Sequence, residues 1–222
     1  TMARTVRVWD LPTRLFHWLL VACIVGSVIT GTIGGAQMDW HARIGYAVLT
    51  LLLFRIAWGF AGGHWSRFSS FLAGPSRIAS YLRGDVHPDA LLGHNPLGAL
   101  SVLAMIVMLL VQVATGLVGD DEIAFTGPLN KFVSTAQGLA ATSYHKRVGQ
   151  WAIYALVALH LGAVLFYLWR RKNNLVRPMI SGDKPVAGEA MPSRDDAGSR
   201  LVALVLFVVC GGAVAWLVQL GR

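Results

Sequence analysis

Charge and cysteine are both scarce in this sequence. Only 14% of its 222 residues are charged, whereas 55% are hydrophobic, and the mean hydropathy is +0.57. A soluble domain carries about a quarter charged residues, so the composition excludes an ordinary soluble protein and favours residence in a membrane. The two cysteines, Cys23 and Cys210, lie far apart in apolar runs, which leaves no basis for a disulfide framework. No C-x-x-C-H motif occurs, which excludes covalent attachment of a c-type haem.

Motifs for hydrolytic or phosphate chemistry are also missing. We find no nucleophile–base pair, no metal-hydrolase motif and no glycine-rich phosphate loop. What the sequence does contain is five apolar runs long enough to span a bilayer. They cover about residues 15–33, 41–60, 97–118, 143–169 and 201–220. The first run is too long for the apolar region of a signal peptide, so we expect it to be retained as a span.

These runs predict an all-α integral membrane protein. We expect a four-helix bundle within residues 1–182, a polar linker over 183–200 and a fifth transmembrane helix over 201–220. Between the second and third runs, residues 62–96 are polar and interrupted by glycine and proline. We expect six residues there to lie on the membrane surface, with Arg67, Arg77 and Arg83 among the headgroups. They are Phe68, Phe71, Leu72, Ile78, Tyr81 and Leu82.

The net charge of +8 is best explained by topology. With five spans, thirteen Lys and Arg residues fall on one side of the membrane and five on the other. The positive-inside rule makes the richer side cytoplasmic, which places the N-terminus in the cytoplasm and the C-terminus in the periplasm of a bacterial inner membrane. The excess of positive charge therefore predicts contact with membrane lipid, and no motif supports binding to nucleic acid.

Four histidines lie inside the predicted spans, where ionisable side chains are costly unless something binds them. His145 and His160 share the fourth span and are separated by about four helical turns, or about 22 Å. Alternating helix directions place His41 at the level of His145 and His17 at the level of His160. The spacing predicts two bis-histidine sites, His17/His160 and His41/His145, each holding the iron of one haem.

A short motif, H-x-R-[IV]-G, occurs at residues 41–45 and again at 145–149. Its glycines, Gly45 and Gly149, fall on the same helix face as the histidines, and we expect them to let a flat macrocycle approach the backbone. The same glycines are also compatible with ordinary helix packing.

Three arginines are predicted to lie near these sites. Arg43 and Arg147 belong to the H-x-R-[IV]-G motifs at the membrane edge, where they could meet haem propionates or lipid headgroups. Arg55 lies deeper in the second span, where a lone cation requires an anion such as a propionate, unless it pairs with another helix or reaches the surface. The loop histidines His64, His87 and His94 are weaker candidates, and His94 is the one expected to touch a quinone or a haem edge.

Four further segments are informative in combination. They are R-V-W-D-L-P-T-R-L-F-H-W at 7–18, W-H at 40–41, G-H-N-P-L-G at 93–98 and N-L-V-R-P-M-I-S-G at 174–182. Together they resemble one known family, the bacterial cytochrome b561 and Ni,Fe-hydrogenase b-type cytochromes. The resemblance covers roughly residues 5–182. It implies a four-helix core with two b haems ligated by the residues that match the family's histidines, namely His17, His41, His145 and His160.

The resemblance also implies transmembrane electron transfer between ubiquinone or menaquinone and a partner, which would be a periplasmic c-type cytochrome, a hydrogenase or superoxide. If catalysis occurs, we expect it to be redox chemistry of quinone, or of superoxide near Arg43, Lys146 and Arg147. Two other classes stay open from the residues alone. One is a polytopic transporter that uses the histidines for metal or protons, and the other is a structural anchor subunit.

Overall fold

The computed structural model describes residues 4–72, 74–84, 92–123, 125–186 and 189–221. Five of its helical stretches are long and apolar enough to span a membrane. The helical elements are α1 (Leu11–Ile33), α2 (Met38–Ala61), α3 (Phe68–Phe71), α4 (Pro75–Leu82), α5 (Pro96–Val118), α6 (Thr135–Tyr144), a π-helical segment (His145–Gly149), α7 (Gln150–Trp169), α8 (Val176–Ser181) and α9 (Ala197–Gln219). The described residues also form two strands, β1 (Arg4–Arg7) and β2 (Asp183–Val186), and short 3-10 helices at Gly35–Gln37, His64–Ser66 and Asn130–Phe132. The prediction of an all-α membrane protein with five spans is confirmed.

Polar side chains determine where the long helices begin. The Asp10 carboxylate accepts a hydrogen bond from the Thr13 backbone N–H (2.8 Å) at the start of α1. Asn95 caps α5 through the Gly98 N–H (2.7 Å), with Pro96 at the first helical position. Ser134 and Gln137 form a capping box at α6. This capping box explains why the fourth apolar helix begins eight residues before the predicted 143.

The chain divides into two compact units. The first contains the described parts of residues 1–15, 55–104 and 157–204. In it β1 pairs antiparallel with β2, with Arg4 opposite Val186 and Arg7 opposite Asp183. The segment predicted as a polar linker therefore includes a strand that holds the chain's N-terminal segment.

Ion pairs reinforce this strand pairing. Asp195, two residues before α9, accepts hydrogen bonds from Arg7 Nη1 (2.5 Å), the Leu11 backbone N–H (3.2 Å) and Arg200 Nε (3.0 Å). Burial raises the pKa of Asp195, but these donors more than offset that effect and hold the pKa below its ordinary value. The carboxylate thus ties β1 and the start of α1 to the start of α9.

A buried carboxylate organises the rest of the first unit. Asp10 is fully buried and also accepts hydrogen bonds from Trp58 Nε1 (3.1 Å), the Gly63 N–H (3.2 Å) and Ser66 Oγ (2.6 Å). A Cβ at Gly63 would lie 2.7 Å from the carboxylate, so the close approach requires glycine. The network therefore explains Asp10 and Thr13 of the W-D-L-P-T segment.

The second unit contains residues 16–54, the described parts of 105–156, and residues 205–221. Here α9 packs on α2, with the Phe207 and Phe54 rings 6.0 Å apart and edge to face. Gly211 of α9 lies beside Thr50, where an added Cβ would make an ordinary contact at 3.7 Å. The fifth span is thus part of the folded core of this unit.

Candidate functional site

His41 and His145 come together in the second unit. His41 lies in the first turn of α2 and His145 opens the π-helical segment, and both side chains are half-buried. Their ring centroids are 6.0 Å apart and their planes are inclined by 75°. Local π-helical turns are frequent at functional sites. The structure therefore brings together the two histidines that the sequence placed at one level.

Both imidazoles are oriented by backbone carbonyls of neighbouring helices. His41 Nδ1 lies 2.9 Å from the Ser27 carbonyl oxygen of α1, and His145 Nδ1 lies 2.9 Å from the Gln112 carbonyl oxygen of α5. A carbonyl oxygen can only accept, so each Nδ1 carries the proton and donates it. In the neutral ring the lone pair is then on Nε2, which is the arrangement of a metal-ligating histidine with a fixed tautomer.

The spacing of the two rings fits one metal between them. A bond between a metal and an imidazole nitrogen is about 2.0 Å long and the nitrogen lies about 1.1 Å from the ring centre, so two imidazoles on opposite sides of one metal have ring centres about 6.2 Å apart. The measured 6.0 Å agrees with this value. Two neutral imidazoles with fixed tautomers are also the donor set that saturates a haem iron.

The two motif glycines have different surroundings. Gly45 is half-buried, yet a Cβ built there would meet nothing within 4 Å among the described residues. A Cβ at Gly149 would overlap the Gln112 side chain, whose Nε2 donates to the His145 carbonyl oxygen (3.0 Å). Gly45 therefore borders open space, whereas Gly149 makes room for Gln112.

The two motif arginines are exposed at the surface of the second unit. The Arg43 guanidinium lies 5.1 Å from the ring centre of Trp40, a cation–π contact. Arg147 is also exposed. Neither position tests the predicted contact with propionates.

Arg55 is a buried cation in the first unit. Its residue is only 3% exposed, and its Nη1 has no hydrogen-bond partner among the described residues. The guanidinium lies 5.3 Å from the Phe68 ring centre and 5.8 Å from that of Phe71. Phe71 is buried, so the prediction that it lies on the membrane surface is wrong, because it packs beneath this cation.

The remaining histidines are distributed over both units. His160 is half-buried on α7 in the first unit, and His17 is half-buried on α1 in the second, with its ring 4.9 Å from Trp18. Their pairing stays a prediction. The His94 ring lies 4.7 Å from both Trp9 and Phe71. His64 contacts Trp65 edge to face, and His87 lies outside the described residues.

Sequence reasoning missed the residues that orient the paired histidines. Ser27 and Gln112 supply the carbonyls, and a Thr-Gly step follows each of them at residues 30–31 and 115–116. The repeated Thr-Gly dipeptide was a visible signal. It could be interpreted only once α1 was known to adjoin His41 and α5 to adjoin His145.

Comparison with known proteins identifies the family of this chain. The chain is 24% identical over 210 residues to the probable Ni/Fe-hydrogenase 1 B-type cytochrome subunit of Escherichia coli K12, covering 79% of this chain and 88% of that protein. It is 29% identical over 175 residues to the corresponding probable subunit of Azotobacter vinelandii, covering 67% of each chain. A similar protein of Bradyrhizobium diazoefficiens is 22% identical over 215 residues, covering 81% of this chain and 86% of that protein. Residues 8–182 match the family model described as prokaryotic cytochrome b561. The chain therefore belongs to the prokaryotic cytochrome b561 family, and its function is electron transfer by b-type haem in a membrane.

Proposed function

We propose that this protein carries electrons between the quinone pool and a redox partner on the periplasmic side of the inner membrane, by way of two b haems. The observation that carries the proposal is the geometry of His41 and His145: two imidazoles, each fixed through Nδ1 to a main-chain carbonyl, with ring centres 6.0 Å apart. When bound, a b haem supplies a reversible one-electron couple at its iron.

His41 and His145 would hold one haem through their Nε2 atoms. Two imidazole ligands would leave the iron without an open site for a substrate, which suits electron transfer. The open space beside Gly45 supports the accommodation of a flat group on that face of α2. The carbonyls of Ser27 and Gln112 would keep both rings in the tautomer that a metal requires.

The second haem is proposed to lie between His17 and His160. This pairing rests on the sequence: His160 follows His145 by fifteen helical residues, a rise of about 22 Å, and α1 and α7 enter the membrane from opposite sides. Arg55 interacts electrostatically with the Asp10 carboxylate, yet its buried Nη1 has no hydrogen-bond partner among the described residues. This atom supports a second anionic group in the first unit. We propose a haem propionate as that anion.

The proposed partner is supported by similarity, and the proposed orientation is supported by charge. The relatives are named as hydrogenase cytochrome subunits, which supports a hydrogenase or another redox protein as the electron partner. A periplasmic c-type cytochrome is the other partner class that we propose. The excess of Lys and Arg on one side supports a cytoplasmic N-terminus and a periplasmic C-terminus, and ubiquinone or menaquinone would exchange electrons within the membrane.

Haem quantification on the purified protein tests this proposal. We expect a reduced-minus-oxidised spectrum typical of b haem and two haems per chain, and we expect His41→Ala to lose one of them. His64→Ala is the matched control, because His64 is a histidine outside the membrane spans and is expected to leave both haems in place. Colourless protein, or an equal loss in both variants, would reject the proposal in favour of a transporter or an anchor subunit.

A further inference from the structure

The two Thr-Gly steps give the paired histidines equivalent surroundings. In α1, Thr30 Oγ1 donates its proton to the Gly26 carbonyl oxygen (2.7 Å) and lies 3.3 Å from His41 Nδ1. Because the hydroxyl proton points to its own helix, the oxygen lone pair faces the imidazole N–H. His41 thus donates mainly to Ser27 O at 2.9 Å and secondarily to this hydroxyl.

The same arrangement recurs at the other ligand. Thr115 Oγ1 donates to the carbonyl oxygens of its own helix, Val111 O (3.0 Å) and Gln112 O (2.8 Å), and lies 3.2 Å from His145 Nδ1. His145 Nδ1 donates mainly to Gln112 O at 2.9 Å. Each imidazole N–H is therefore shared between a main-chain carbonyl and a threonine hydroxyl three residues further along the same helix.

The glycine of each step provides the space for this approach. A Cβ at Gly31 would lie 3.1 Å from both Nδ1 and Cε1 of His41, and one at Gly116 would lie 3.3 Å from His145 Cε1. Such contacts are tighter than ordinary van der Waals distances, so an alanine would push the ring away from its carbonyl. The threonine supplies a polar contact and the glycine keeps that contact reachable.

We propose that Thr30–Gly31 and Thr115–Gly116 are positioning residues that fix the two imidazole planes of one shared haem and lower its reduction potential. This inference rests on the proposed ligation by His41 and His145. An acceptor facing Nδ1–H increases the basicity of the ligating nitrogen, which favours the ferric iron. Both steps act on the same haem, so their effects should add, and the other haem serves as an internal reference.

Redox titration of both haems tests the threonines. Thr30→Val and Thr115→Val each remove one acceptor, so we expect each to raise the reduction potential of one haem. The double variant should raise it further. Thr30→Ser keeps the hydroxyl and should keep the wild-type potential. Thr32→Val is the matched control, because Thr32 is exposed on the same helix and its hydroxyl donates only to Val28 O (2.7 Å). Threonine variants that move the potential no more than Thr32→Val would overturn the inference.

The ferric EPR signal tests the glycines, since that signal depends on the angle between the two imidazole planes. We expect Gly31→Ala and Gly116→Ala to change the signal of one haem, whereas Gly26→Ala, which faces the flexible Ile44 side chain at a similar 3.1 Å, should not. Signals unchanged in Gly31→Ala and Gly116→Ala would contradict the positioning role. Wild-type protein without haem would instead reject the proposed function itself, so the two failures are distinguishable.

Discussion

Replacing Asp10 with Asn perturbs the most buried carboxylate described in this protein while keeping its shape. Each of its oxygens accepts two hydrogen bonds. Oδ1 accepts from the Thr13 N–H and from Trp58 Nε1, and Oδ2 accepts from the Gly63 N–H and the Ser66 hydroxyl. In Asp10→Asn the side-chain NH₂ group replaces one of these oxygens. Because it can only donate, it cannot accept from the two donors that face it. The Thr13 and Ser66 hydroxyls, 2.7 Å apart, can rotate to adapt, but a backbone N–H such as that of Gly63 cannot.

The cost follows from what this exchange leaves unsatisfied. A buried donor without a partner costs about 1–3 kcal/mol, and the bonds that remain lose the charge that made them strong, so we expect about 3 kcal/mol in all. For a chain of this size about 3 kcal/mol lowers the thermal midpoint by roughly 6–12 °C.

Thermal unfolding in detergent, followed by loss of the monodisperse species, measures this change. Asp196→Asn is the control, because Asp196 is an exposed cap of α9 that accepts from the Ser199 N–H (2.7 Å), and Asn caps a helix as well as Asp does. We expect the control to unfold within about 1 °C of wild type. An Asp10→Asn midpoint equal to that of the control would refute the assignment of the network as a stabilising centre.

Three further results are expected. Arg55→Met should lower the potential of one haem in a redox titration, since a nearby cation favours the reduced iron, and unchanged potentials would argue against the propionate contact. The stability contributed by Asp195, whose folded-state pKa is below its ordinary 3.8, should be fully present above pH 3.8 and lost as the pH falls through the lowered value. Acid unfolding that is the same in wild type and Asp195→Asn would contradict that contribution. Tyr167→Phe removes the hydroxyl that is hydrogen-bonded to Tyr81 (2.6 Å) and Asn95 (2.8 Å), and should lower the free energy of unfolding by about 1–2 kcal/mol. Tyr154→Phe is the control, because it loses one hydrogen bond. A cost for Tyr167→Phe no larger than that of the control would contradict this expectation.

The spans could be predicted from sequence because apolar composition and length decide membrane residence locally. Caps such as Asn95, which accepts from the Gly98 N–H at the start of α5, also act within a few residues and therefore leave a local signal. The contacts of residues 183–200 could not be predicted. Arg7 meets Asp183 and Asp195 across 176 and 188 positions, and nothing in the local pattern of a polar, proline-containing segment indicates which distant strand it pairs with.

The candidate site likewise has features that could be predicted from the sequence and features that could not. Helix direction alone was enough to match the levels of His41 and His145, because alternating spans fix depth. The orientation of the rings depends on Ser27 and Gln112, whose main-chain carbonyls carry no side-chain signature. Gly149 shows that sequence spacing alone does not predict open space beside a helix. It follows His145 by the same four residues by which Gly45 follows His41, yet the Gln112 side chain lies where a Cβ at Gly149 would be.

Haem stoichiometry in paired histidine variants tests the central claim most directly. If His41 and His145 hold one haem, the variants His41→Ala, His145→Ala and the double variant should each retain the same single haem per chain, identified by its spectrum and potential. Combining His41→Ala with His160→Ala should leave none. A double His41/His145 variant that loses both haems, or that still binds two, would contradict the account.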